Sequence, residues 1–307
     1  MKVLPVSCLM LGTAPIGGLY APVSDADARA TFNAAWQAGI RAFDTAPHYG
    51  VGLAERRLGE FLSGKPRSEY VVSTKVGRLL VPSSDPVDGV DGFYDTPRLR
   101  RVWDFSRDGA LRSLDESLRR LGLDRVDLAL IHDPDDHAAQ ALDGAYPALH
   151  QLRSEGVVGA IGVGMNQPEL PAWFIANADL DCVLIAGRYS LLDTSAATEL
   201  LPECERRGVS VLAGGVFNSG ILADPQPGAR YDYQPAPPTL VARAQRIRAV
   251  CDGYGLPIGA VALAFTLRHP AVTAAVIGAR TADEIAEDVG YLELDVPDEL
   301  LAEISAL

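Results

Sequence analysis

Apolar residues along the chain follow two repeating patterns. Short runs rich in Val, Ile and Leu, at residues 6–11, 40–44, 70–74, 126–131, 158–163, 182–185, 209–213 and 274–277, read as buried strands. Between them lie longer stretches whose apolar positions recur at helical spacing. The stretch at 25–38 begins with an acidic cap and stops before Gly39. Helical patterns follow at 53–62, 109–121, 143–154, 168–178 and 196–207. Two more, 239–254 and 257–268, precede the last strand; 281–292 follows it and 297–306 closes the chain.

Eight strands, each followed by a helix, is the arithmetic of an α/β fold of the (β/α)8 TIM-barrel type. One such domain over residues 1–307 accounts for the whole length. A doubly wound sheet would show fewer strands and a G-x-G-x-x-G turn after the first. Here the first turn reads GTAPIGG, and the Gly-rich GVVGAIGVG lies across the fifth strand instead of opening a helix. Neither a P-loop nor G-x-S-x-G occurs. Two connections, 76–107 and 214–238, are unusually long and carry Phe93, Tyr94, Trp103 and Phe105 in the first and Phe217, Tyr231 and Tyr233 in the second. In a barrel they leave strands three and seven at the face where active sites sit. They read as lids over substrate and cofactor, with partial disorder of the first as the alternative.

Composition narrows the partners. The formal charge of −13 argues against nucleic acid and against an anionic membrane surface. No apolar stretch has the length to span a bilayer. The opening MKVLPVSCLMLG has one Lys, a Pro-broken apolar run and no small-residue cleavage site, so it reads as a first strand, and the expected location is cytoplasmic. The four cysteines are widely spaced without a CxxC, which points to reduced, mostly buried thiols.

The polar residues at the expected strand ends then stand out. Strand two ends in FDTAPHYG, placing Asp44 at the rim with His48 and Tyr49 beyond it. Strand three ends in VVSTKVG and strand four in LALIHDP, placing Lys75 and His132 on the same rim. Singly, each residue has a bland reading: a helix cap, a solvated charge, a satisfied polar group. Together they suit proton transfer at a carbonyl or alcohol oxygen. A Lys ammonium beside a phenol favours phenolate and lowers its pKa, a carboxylate holds the Lys, and a neutral His orients the oxygen. None of these groups supplies electrons, so redox chemistry would need a hydride carrier. In LALIHDPDDH, His132 and His137 flank a Pro-containing turn and define no metal geometry. No metal site is expected, and Asp133, Asp135 and Asp136 read as a polar exit loop.

Over essentially its whole length the chain resembles the aldo-keto reductases. The resemblance implies that Tyr49 is the general acid/base, that Lys75 and Asp44 tune it, and that His132 orients the substrate oxygen. It implies an extended nicotinamide dinucleotide, NAD or NADP, across the barrel mouth. Gly12, Thr13 and Asp44 would border it, and Asn166 of GVGMNQ would hold the carboxamide. GGVFNSGIL would cover the pyrophosphate through Gly215, Phe217, Asn218, Gly220 and Leu222. GARTADEIAEDVG would grip the adenosine end through Gly278, Arg280, Thr281, Glu284, Glu287 and Asp288. Substrate contacts would come from Tyr20, His48, Tyr49, Trp103 and His132.

The chain departs from the family pattern at several places. Met165 precedes Asn166 where Ser is usual, Ala186 replaces a Gln, Gly214 replaces a stacking aromatic, and the N-terminal hairpin is short. With GTAPIGGLY, IHDPDDH and AGRYSLLD, these features resemble the sugar 1-dehydrogenase branch. The implied reaction oxidises the anomeric carbon of an aldose of the L-fucose, D-arabinose or L-galactose type to its lactone. Pyridoxal, another cyclic hemiacetal, fits the same chemistry. An NADPH-dependent aldehyde or ketone reductase, and more distantly a dinucleotide-binding regulatory protein, are the alternatives. Arg280 can pair with a 2′-phosphate, whereas Glu284 and Asp288 lean towards NAD. No oligomeric state is assigned.

Overall fold

The strand-forming runs do what their buried, β-branched character demands and pair side by side into a closed parallel barrel. The computed structural model describes residues 6–85 and 88–307, so residues 1–5 of the expected N-terminal segment lie outside the described residues. The first half runs β1 (Leu9–Gly12), α1 (Asp25–Gln37), β2 (Ala42–Asp44), α2 (Leu53–Leu62) and β3 (Val71–Val76). It continues with β4 (Arg78–Pro82), β5 (Leu99–Trp103), α3 (Arg107–Leu121), β6 (Val126–His132), α4 (Ala138–Gln140) and α5 (Tyr146–Ser154). Next come β7 (Val158–Met165), α6 (Glu169–Asn177), β8 (Cys182–Ala186), α7 (Leu200–Arg207) and β9 (Ser210–Gly214). The chain ends with β10 (Arg230–Tyr231), β11 (Gln234–Pro235), α8 (Pro238–Gly253), α9 (Ile258–Leu267), β12 (Val272–Gly278), α10 (Ala282–Tyr291) and α11 (Asp298–Ser305).

The barrel order is β1, β2, β3, β6, β7, β8, β9, β12, closing on β1. Its register sets Gly12 beside Asp44, Asp44 beside Ser73 and His132 beside Gly164, so all C-terminal ends share one rim. Small and branched side chains fill the interior, including Met10, Leu128, Leu130, Leu184 and Leu212. A larger apolar layer, with Phe32, Phe43, Leu58, Leu114 and Phe174, joins the strands to the helices around them. Each fully buried side chain of this kind contributes roughly 1.5–3 kcal/mol. Among the described residues no single helix is long and apolar enough to cross a membrane.

Three differences from the sequence expectation have physical causes. The first strand begins at Leu9, where pairing to β12 starts, and Cys8 just before it is exposed. The helix expected at 143–154 is α-helical only from Tyr146, after a π-helical turn at Ala141–Ala145, where Gly144 packs so closely on the Phe105–Arg107 backbone that a Cβ would lie 2.6 Å from the Phe105 carbonyl oxygen. The connection 76–107, read as a lid, holds regular structure among its described residues. RLLVP and LRRVW pair antiparallel as β4 and β5, Arg78 opposite Trp103 and Pro82 opposite Leu99. Within 214–238, β10 and β11 form a minimal hairpin through Asp232 and Tyr233, both left-handed, as such a turn requires.

One ion pair ties α2 and α3 to the barrel. Glu55, fully buried, accepts from Arg120 Nε at 2.5 Å and from the Thr74 hydroxyl of β3 at 2.9 Å. Arg120→Met would strand that carboxylate without its counter-charge. The expected cost is about 3 kcal/mol, read as a lower urea midpoint at unchanged slope; a midpoint equal to wild type would refute it.

Candidate active site

Strand periodicity aims alternate side chains of β3 into the barrel, so Ser73 and Lys75 share its interior face. The Ser73 hydroxyl donates to Asp44 Oδ1 at 2.9 Å. Lys75 is 1% exposed, and an ammonium so placed must find acceptors for its hydrogens. It donates to Asp44 Oδ2 at 2.7 Å, to the Thr45 carbonyl at 3.0 Å and to Tyr49 Oη at 2.9 Å. Tyr49 stands in the connection between β2 and α2, just past Asp44. The ring of His132, from the end of β6, meets the Tyr49 ring edge-on at 5.9 Å between centroids. His48 packs 5.7 Å from His132. The four residues named from three consecutive barrel strands and one loop are thus brought together.

Burial pushes the Tyr49 phenol well above its ordinary value; the Asp44 and Asp133 carboxylates push the same way, and Arg78 pulls against them. Lys75 donates to Tyr49 Oη at 2.9 Å and is itself paired with Asp44 at 2.7 Å. The phenol is therefore protonated at neutral pH. Burial also holds His132 well below the ordinary histidine range, with Arg78 and Lys75 adding to the effect. Burial, then Arg78, does the same to His48. Both imidazoles are neutral at neutral pH, so each has one N–H donor.

Asp133, read as part of a polar exit loop, turns back to the site: Arg78 Nη2 lies 2.5 Å from its Oδ2, and His132 Nε2 lies 3.4 Å from the same oxygen. Burial raises its carboxyl pKa, against the pull of Arg78.

Two cavities meet at this cluster, and Tyr49, Tyr20, Asn166, Ala186 and Tyr233 line both. The first, about 480 Å³, is also bordered by Gly12, Asp44, Gly215, Phe217, Asn218, Gly220, Gly278, Arg280, Glu284, Glu287 and Asp288. Three residues expected there stand outside its lining. Thr13 is fully buried, with its N–H donating to the Asp44 carbonyl. Leu222 is packed in the core, and the Thr281 hydroxyl caps α10 by accepting from Glu284 N–H. The second cavity, about 670 Å³, is lined by the expected His48, Trp103 and His132, by Phe93 and Tyr94 of the connection read as a lid, and by Arg78, Asp133 and Arg230, which were not among the expected site residues. Trp103 was found there by its aromatic character. Arg78 lies opposite it in β4–β5, and nothing in the spacing of RLLVP marks it out.

The first cavity fits a dinucleotide. Its glycines keep the walls thin: a Cβ on Gly214 would sit 3.4 Å from the Leu184 side chain, and one on Gly278 2.9 Å from Pro15. Asn218, 2% exposed, keeps Oδ1 without a hydrogen-bond partner among the described residues, as a group awaiting a ligand donor would. Arg280 brings positive charge to the far end, where burial with Glu287 and Glu284 raises Asp288 to about 7. Among the described residues, no group of three or more His, Cys, Asp or Glu side chains is placed to hold a metal ion.

Comparison with known proteins follows the same lines. A sequence model of the Aldo/keto reductase family matches residues 8–307. The chain is 44% identical over 309 residues to the D-threo-aldose 1-dehydrogenase of a Pseudomonas species, covering 98% of this chain and 94% of that one. It is 43% identical over 316 residues to the pyridoxal 4-dehydrogenase of Microbacterium luteolum, covering 96% and 92% respectively. Among solved structures, the glycerol dehydrogenase of Gluconobacter oxydans superposes with a TM-score of 0.78 at 25% identity, covering 100% of this chain and 92% of that one.

The neutral histidines make stability depend on pH with a definite sign. In the unfolded chain they bind protons near pH 6.5, in the fold only below that. Their contribution is complete above about pH 6.5 and is lost as pH falls below it. Urea unfolding between about pH 7 and pH 5 should show falling stability with a shallower fall in His132→Gln. Identical slopes in the two proteins would contradict the burial of a neutral His132.

Proposed function

The chain belongs to the aldo/keto reductase family, whose members are NAD(P)-dependent oxidoreductases, and on that basis we propose that it oxidises the anomeric carbon of an aldose to the lactone. The observation that carries this reading is the position of Tyr49. Its hydroxyl is 2.9 Å from Lys75 Nζ, and its side chain borders both the glycine-walled cavity and the polar one. A nicotinamide dinucleotide bound in the first cavity supplies the hydride acceptor or donor.

The protein's residues then divide the work. Tyr49 Oη carries the proton that leaves or joins the substrate oxygen. Lys75 donates to that Oη, which stabilises negative charge as it develops there. Asp44 accepts from the ammonium and holds it aimed at the phenol. Neutral His132 supplies a hydrogen bond that orients the substrate oxygen. The protonated phenol serves reduction directly, and oxidation draws on its deprotonated fraction. Oxidation should therefore accelerate as pH rises into the alkaline range.

Support for a sugar comes from the second cavity and from the relatives. Phe93, Tyr94 and Trp103 offer flat apolar faces, while Arg78, Asp133 and His48 offer charged and polar groups. A ring with C–H faces and several hydroxyls matches that mixture. The 44% identical relative is named for an aldose. The 43% identical relative is named for pyridoxal, which makes pyridoxal the second reading.

For the cofactor we favour NAD. Glu284 accepts from the Arg280 backbone N–H at 2.7 Å and stands with Glu287 and Asp288 around the one cationic side chain lining that end. The Glu284 and Glu287 carboxyl groups, with Asp288 only partly ionised at neutral pH, disfavour a 2′-phosphate and can accept from a 2′-hydroxyl.

Purified protein is to be assayed for reduced-nicotinamide absorbance with L-fucose, D-arabinose, L-galactose and pyridoxal, each with NAD and NADP. Sugar turnover with NAD is expected; no turnover with any sugar would end the aldose reading. Tyr49→Phe should lower kcat by about 10²–10⁴-fold while dinucleotide binding, read by fluorescence quenching, persists. A Tyr49→Phe enzyme with unimpaired turnover would remove Tyr49 from the chemistry. The double replacement Glu284→Gln with Asp288→Asn should raise kcat/KM with NADP by about tenfold; an unchanged ratio of NADP to NAD activity would refute the assignment of these carboxylates.

A further inference from the structure

The second cavity holds a charged pair that the proton chemistry does not use. Asp133 follows His132 directly and adopts a left-handed backbone at φ 44°, fixed by its N–H donating to the Gly164 carbonyl at 3.0 Å. That conformation turns the carboxylate back over the end of the barrel towards Arg78 instead of away with the following turn. Arg78 is 6% exposed, and its guanidinium lies 5.7 Å from the Trp103 ring centre. Its Nε is buried without a partner among the described residues, as are Nδ1 of His48 and of His132.

A buried ion pair contributes little to stability against an apolar replacement, and a left-handed Asp adds strain. Its value is better sought in a ligand. Asp133 Oδ2 and His132 Nε2 are 3.4 Å apart, close enough for oxygens on adjacent carbons to engage both. A hydroxyl can donate to the carboxylate and accept from the guanidinium at once. A carbonyl compound lacking that hydroxyl leaves the hydrogen-bond positions that the pair does not use on itself, Arg78 Nε among them, desolvated and unfilled. We propose that the Arg78–Asp133 pair reads a hydroxyl on the carbon next to the reacting one, making the enzyme selective for α-hydroxylated substrates over plain aldehydes. This deepens the aldose reading and rests on it for the choice of substrate class.

The test uses matched pairs that differ by that hydroxyl: D-arabinose against 2-deoxy-D-ribose in oxidation, and glycolaldehyde against acetaldehyde in reduction. Wild type should favour the hydroxylated member by about a hundredfold in kcat/KM. Asp133→Asn tolerates the left-handed backbone, and Arg78→Met keeps the side-chain length. Each should erase at least about tenfold of the preference, chiefly by raising KM for the hydroxylated member, read as the ratio of the two kcat/KM values so that any change common to both members cancels. Melting temperature and dinucleotide binding report whether each variant is folded. If one variant unfolds, the other and the wild-type preference decide. Equal wild-type kcat/KM within both pairs would overturn the inference. So would variants that slow both members alike, the mark of a pair that only positions His132. Preference for glycolaldehyde in an enzyme that oxidises no sugar would sustain the inference and overturn the aldose reading.

Discussion

An ammonium group inside a protein must replace all the water it loses, and the barrel mouth is arranged around that requirement at Lys75. Each of its hydrogens has an acceptor: a carboxylate from β2, a carbonyl just past β2, and the Tyr49 phenol. Removing Asp44 would leave a buried charge uncompensated, at several kcal/mol. The position of Tyr49, the register of β2 against β3 and the depth of Asp44 are therefore linked. Asp44 in turn is held by the Ser73 hydroxyl, two residues before Lys75 on the same strand face.

This neutralised pair determines what the neighbouring groups can do. Burial, more than any neighbouring charge, governs the phenol, which stays protonated at neutral pH. Burial and nearby cations keep His132 and His48 neutral. The site is thus a set of uncharged donors around a fixed internal ion pair, set between a glycine-walled cavity and a polar, aromatic-walled one. Small residues at Ala186 and Gly214, where larger ones would narrow the first cavity, keep that meeting point open.

Much of this was legible in the chain. Apolar runs alternating with helical spacing led to the barrel, and parallel strands necessarily end on one rim, which collects Asp44, Lys75 and His132. RLLVP and LRRVW carry no period-two alternation, and their Arg, Pro and loop-like neighbours hid the β4–β5 hairpin that lines the second cavity. The pairing of Asp133 was hidden for a similar reason. An Asp between His and Pro has the local chemistry of a turn, and only its left-handed backbone aims it at an arginine 55 positions away in the chain.

The sequence by itself determined the strand and helix periodicities, the rim positions of the chemistry-bearing residues and the absence of a Rossmann fingerprint, because these depend on residue type and local spacing. Only the tertiary structure decided the protonation of Tyr49, the pairing of Arg78 with Asp133, and which loop residues line a cavity instead of packing behind it. Those properties depend on burial and on charges brought together from distant segments, and local spacing carries no record of either.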